Sequence, residues 1–93
     1  MTKPKAKSDK KYQSHIPDVV RLQTSRIGAR LQQLQGNRSQ NRWARELGIP
    51  QQNLSRYIKG MNPHVTFLVH LARREGVNLN WLLLGRGDAY REG

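Results

Sequence analysis

Apolar residues recur along this chain at steps of three, four and seven, the spacing that puts side chains on one face of a helix. Val20, Ile27, Leu31 and Leu34 form the first series, and Gly36 follows as a stop. Pro17 and Asp18 suit a first turn, since Pro needs no N–H there and Asp meets the positive helix end. Thr24 or Ser25 equally suits a later start as an N-cap. Either way the first helix ends near Gln35. Ser39 is placed to N-cap a second helix, about 39–47, with Trp43, Ala44 and Leu47 apolar and Gly48 after it. Pro50 falls at or near the first turn of a third helix, about 50–59, with Leu54 and Ile58 inward and Gly60 at its end. Val65, Leu68, Val69 and Ala72 share one stripe of a fourth helix, which Gly76 stops. Asn78 caps a short fifth helix, apolar nearly throughout, before Gly85. No segment alternates with period two and nothing repeats, so the pattern predicts an all-α fold.

The second and third helices belong together. Residues 40–60 read QNRWARELGIPQQNLSRYIKG, two short helices across a turn of about three residues, which is the signature of a helix-turn-helix. Ala44 is small where the helices cross. Gly48 supplies the positive φ of a tight turn. Leu54 pins the third helix onto the second. Gln51, Gln52, Asn53, Ser55 and Arg56 are left pointing outward.

Charge turns this geometry toward nucleic acid. The chain of 93 residues is one domain at most, and it carries 17 Lys and Arg against 6 Asp and Glu, a net +11 with a pI near 11.2. Such a field attracts polyanions. It is lopsided: residues 1–60 hold thirteen of the cations and three acids, while residues 61–93 are nearly balanced. The first two-thirds should therefore face the polyanion. With no cysteine, disulfides, zinc fingers and thiol chemistry are excluded. No apolar run approaches the roughly 18 residues of a membrane span, and the basic start lacks a signal peptide's apolar stretch. Residues 1–17 read as a disordered basic arm, in which Lys3, Lys5, Lys7, Lys10 and Lys11 wrap phosphates or enter a groove, or else merely solubilise the chain. Residues 18–87 are expected to form a DNA-binding domain and 88–93 a C-terminal tail.

The spacing of Ala44, Gly48, Leu54 and Gly60 resembles the helix-turn-helix of phage lambda-repressor-like and Cro-like regulators, the xenobiotic-response-element family. The flanks RIGARLQQLQG and REGVNLNWLLLGRG are similar too, so the resemblance covers roughly 26–87. It implies a compact five-helix domain with the third helix in the major groove. It places Gln51, Gln52, Ser55 and Arg56 at base edges, chemistry that suits Gln with adenine and Arg with guanine. It sets Gln40 at a phosphate while bracing Gln51, and Asn62 and His64 at phosphates after the third helix. Asn53, Lys59, Arg38 and Arg42, which flank the reading helix, are expected at the backbone, as is Arg45; Arg21, Arg26 and Arg30 are as readily a solvated face. Pro50 departs from the family's usual Ser or Thr cap and can shift the helix start. Tyr57 replaces an apolar residue and is expected to pack by its ring.

Other chemistry finds little support. His15, His64 and His70 have no metal-ligand spacing, and Ser55 has no triad, so neither an enzyme, a cofactor, a metal nor a small-molecule substrate is expected. Trp43 and Trp81 read as packing or interface residues. The fifth helix is too apolar to face one core, so Trp81, Leu82 and Leu84 are a candidate homodimer surface. The expected function is sequence-specific binding of double-stranded DNA by a phage or prophage-type repressor, dimeric on a palindromic operator, in the bacterial cytoplasm at the nucleoid. The alternatives are the antitoxin of a toxin–antitoxin pair and a nonspecific architectural protein.

Overall fold

The computed structural model describes residues 17–91. The lysines of the expected arm lie outside the described residues. Among the described residues six helices follow one another: α1 (Asp18–Ser25), α2 (Ile27–Gln35), α3 (Gln40–Leu47), α4 (Gln51–Ile58), α5 (Val65–Glu75) and α6 (Leu79–Leu84). Among the described residues there is no strand; a single antiparallel bridge joins Val77 to Tyr90.

The expected first helix is divided at Arg26, which separates α1 from α2. Thr24 and Ser25 cap neither helix. Their hydroxyls donate backward to the carbonyls of Arg21 and Leu22, at 2.9 and 2.7 Å, a local bond that competes with the helix ladder and ends α1. The break also resets the register. Val20, expected on the same face as Ile27, Leu31 and Leu34, is 43% exposed, whereas those three are buried.

The helix-turn-helix forms as its sequence directs. Ser39 Oγ accepts from the Arg42 N–H at 3.0 Å and starts α3. Gly48 ends it at φ 75°, and its N–H returns to the Ala44 and Arg45 carbonyls. Pro50 is the N-cap residue of α4, extended at φ −62° and ψ 137°, with no side-chain cap. Its carbonyl accepts from Asn53 and Leu54, so α4 begins cleanly at Gln51. Asn78 caps α6, its Oδ1 accepting from the Asn80 N–H.

Trp43, Ala44 and Leu47 of α3 and Leu54 of α4 bury into one core with Ile27, Leu31 and Leu34. A close backbone approach lies between α2 and α4, at Gly28. A Cβ built on Gly28 would stand within van der Waals overlap of the Ile58 carbonyl oxygen. Glycine there lets the C-terminal end of α4 rest on the backbone of α2.

Two expected faces are corrected. On α5 the buried residues are Phe67 and Leu71, while Val65 and Val69 face solvent at 71% and 48% exposure. Both sets obey a helical period, and the larger side chain decides: Phe67 stacks on Tyr57, ring centroids 4.6 Å apart and planes tilted by 40°. On α6, Leu82 is 0% exposed and belongs to the core, so it cannot serve a dimer contact. Trp81 is half-buried against the same core, and Leu84 remains exposed. The Arg30 guanidinium reaches across from α2 to the Leu82 carbonyl at 3.0 Å, satisfying a carbonyl at the negative end of α6. Residues 88–91 fold back on this end: Asn78 N–H bonds the Ala89 carbonyl and Arg91 N–H the Gly76 carbonyl, each at 2.8 Å.

Candidate nucleic-acid interface

The outward side chains of α4 gather as their spacing requires. At 100° per residue, positions 51, 52, 55, 56 and 59 fall within less than half the circumference of a helix. Gln51, Gln52, Ser55, Arg56 and Lys59 line one open concavity. All but Ser55, which is half-buried, are exposed. Amide, hydroxyl, guanidinium and ammonium groups thus share a surface with both donors and acceptors, the chemistry that reads base edges. Beneath it, buried Leu54 and Tyr57 anchor the opposite face of the helix.

Asn53 lies on the other flank of α4. It shares a second groove with Ile49, Tyr57, His64, Thr66, Phe67 and His70. Asn53 and His64 therefore border one groove, although eleven positions separate them in sequence. Asn62 is exposed in the loop before α5, and Gln40 is half-buried at the first position of α3. Among the described residues no hydrogen bond joins Gln40 to Gln51, so the expected brace is not formed in this state.

The arginines expected at phosphates separate into two kinds. Arg38 is committed internally. Its NH1 donates to Glu46 at 2.9 Å and to Glu75 at 3.0 Å, its NH2 to the Leu34 carbonyl at 2.7 Å, and its Nε to the Gln35 carbonyl at 3.1 Å. The guanidinium also lies 5.1 Å from the centroid of the Trp43 ring. With its donors facing inward, Arg38 is a structural group and is withdrawn as a phosphate ligand. The Glu75 carboxylate is the main cause that holds its pKa above the ordinary value. Arg42 is exposed, and its Nε donates to Glu46 at 2.9 Å across one helical turn. That bond first, and the one from Arg38 second, keep the Glu46 carboxyl below its usual range. Arg45 is exposed on the same helix.

Three supports of the site escape a reading of the chain. Glu75 accepts from the Trp43 indole N–H at 3.0 Å and from Arg38, tying the end of α5 to α3. Arg74 Nε donates to the Glu46 carbonyl at 3.0 Å. His70 Nε2 stands 2.6 Å from the Leu47 carbonyl, a ring N–H capping the end of α3 just before the turn. Only the Arg42–Glu46 spacing of four had a sequence signal. The others join residues 23 to 37 positions apart.

No group of His, Asp and Glu among the described residues is arranged to hold a metal ion. None of the described helices is long and apolar enough to cross a membrane. A family model described as the bacteriophage CI repressor helix-turn-helix domain matches residues 25–90, the stretch from the end of α1 through α6 and the fold-back. No curated protein and no solved structure matches the chain.

Proposed function

The chain belongs to the bacteriophage CI repressor helix-turn-helix family and is a DNA-binding transcriptional regulator of the repressor type; from that premise we propose that it reads a specific, palindromic duplex site as a homodimer. The family is one of DNA-binding repressor domains and not of enzymes. Repression would follow from occupying the operator, where the bacterial or infecting genome lies.

The observation that carries the reading is the shared concavity of Gln51, Gln52, Ser55, Arg56 and Lys59 on α4. We assign the base edges to the first four and the adjoining backbone to Lys59. Gln40, Arg42, Arg45, Asn62 and the Asn53–His64 groove would meet phosphates on either side. The lysines of the arm would add sequence-independent attraction. Gln52→Ala is expected to cost about 1–3 kcal/mol on the selected site and to relax preference at one base pair. A selection from a random duplex library followed by titration measures both. Equal losses on selected and random duplex would remove Gln52 from the base readers and favour a charge-driven architectural protein. An intact specific reader should keep its site at least about 10³-fold tighter than random DNA.

For the dimer we retain α6 without Leu82. Leu84 is 47% exposed, and α1, which packs against α6, carries exposed Val19 and Leu22. Together they would supply the apolar contact of a two-fold dimer, holding two reading helices about one DNA turn, 34 Å, apart. Leu84→Glu is expected to weaken self-association about tenfold or more, read by sedimentation equilibrium at micromolar concentration. A chain that is strictly monomeric with and without DNA would overturn the dimer and leave the base-reading assignment standing.

A further inference from the structure

The outward face of α5 serves neither the reading helix nor the α6 contact, and we propose that it docks the apolar face of an acidic amphipathic helix from another protein. At 100° per residue, Phe67 and Leu71 point into the core, and Val65, Val69 and Arg73 fall on the opposite side. The two valines are the exposed residues already noted, at 71% and 48%. Leu68 and Ala72 lie half-buried along their flank. The four apolar positions repeat at i, i+3, i+4 and i+7, the spacing of a ridge that meets another helix. That regularity sets them apart from the single exposed apolar residues common on any surface. Ala72 also carries the face onward, since it lines a small open groove with Val77, Leu79 and Arg91.

Charge selects the occupant. Arg73 extends the valine row by one further turn, Arg91 stands in the groove, and both are exposed. The one carboxylate of α5, Glu75, is turned away into its bonds with Arg38 and Trp43. A second copy of this face would set cation against cation with no acid from α5 to answer them. A helix with an apolar stripe flanked by Asp or Glu meets both features at once. The occupant would bind the repressor away from α4, so it can engage the DNA-bound form.

The test uses the full chain saturated with random-sequence duplex at low salt, so that the basic reading face is covered. A displayed library of amphipathic helices, randomised in charge, is selected against it. Selected helices should carry apolar residues at i, i+3, i+4 and i+7 with an excess of acids. They should bind the Val69→Asp chain about tenfold or more weakly, while that chain keeps its thermal midpoint and DNA affinity. An Arg73→Glu chain should prefer basic helices instead. The proposal is overturned if no helix is selected, if selected helices bind Val69→Asp as tightly, or if Val69→Asp dissociates the protein's own dimer, which would make a second copy the occupant.

Discussion

Gly28→Val is expected to cost the domain about 3 kcal/mol or more, at the upper end of what overpacking a core contact costs. The reason is that the obstruction is backbone and not a flexible side chain. A Cβ at position 28 overlaps the Ile58 carbonyl oxygen and crowds the Ile58 carbon at 3.1 Å and the Tyr57 oxygen at 3.4 Å. None of these atoms can rotate away, so the end of α4 must lift from α2 or the domain must open. An opposing effect exists, because replacing glycine within a helix gains roughly 0.5–1 kcal/mol in backbone entropy. It is smaller than the clash, so destabilisation wins even for Gly28→Ala, where about 1–2 kcal/mol net should remain. For Val the thermal midpoint should fall by roughly 12–24 °C in a domain of this size. Calorimetry measures the fall, and a midpoint unchanged for both variants would contradict the close approach. Since α4 carries the side chains assigned above to base edges, any folded fraction should also lose preference for its selected duplex more than it loses binding to random DNA.

Glu75→Ala is the second large effect, about 2–4 kcal/mol of lost stability. The substitution strands the indole N–H of Trp43, a residue with no exposed surface. It also removes one carboxylate partner from Arg38, whose side chain is only 22% exposed. An unpaired buried donor costs roughly 1–3 kcal/mol by itself, and the loosened guanidinium adds to it. Glu46 offers Arg38 partial compensation, which keeps the loss below that of a fully buried charge. Glu75→Gln should lose less, because an amide oxygen can still accept from Trp43. A double-mutant cycle with Arg38→Ala should return a coupling of about 1–3 kcal/mol; additive losses would mean the network is not a unit. Each Glu75 variant removes an acid from a chain already at +11, so its nonspecific DNA affinity should hold or rise while stability falls.

Those two sites also mark how far the chain could be read. The helix-turn-helix was legible because its determinants are local. Ser39, Gly48, Pro50 and Gly60 act within a few residues of their own positions, and the structure places the caps and turn where they stand. The outward set on α4 was legible for the same reason, since helical spacing alone brings 51, 52, 55, 56 and 59 to one side. The break at Arg26 was half visible in the two alternative helix starts, but the hydroxyls of Thr24 and Ser25 turned out to end a helix and not to begin one. Arg38 could not be sorted from Arg42 by sequence, because both are cations beside the same turn. What separates them is Glu75, 37 positions from Arg38.

By itself the sequence determined the all-helical class, the position of the helix-turn-helix, and the basic character of the first two-thirds of the chain. These follow from periodicity, capping and charge, which are properties of neighbouring residues. Tertiary structure alone decided which of two apolar faces α5 buries, that Leu82 is core while Leu84 is surface, and that α4 rests on the backbone of α2 at Gly28. It also decided that Arg38 serves the fold. Each of these depends on which side chains distant in sequence compete for one interior, and short-range pattern carries no record of that competition.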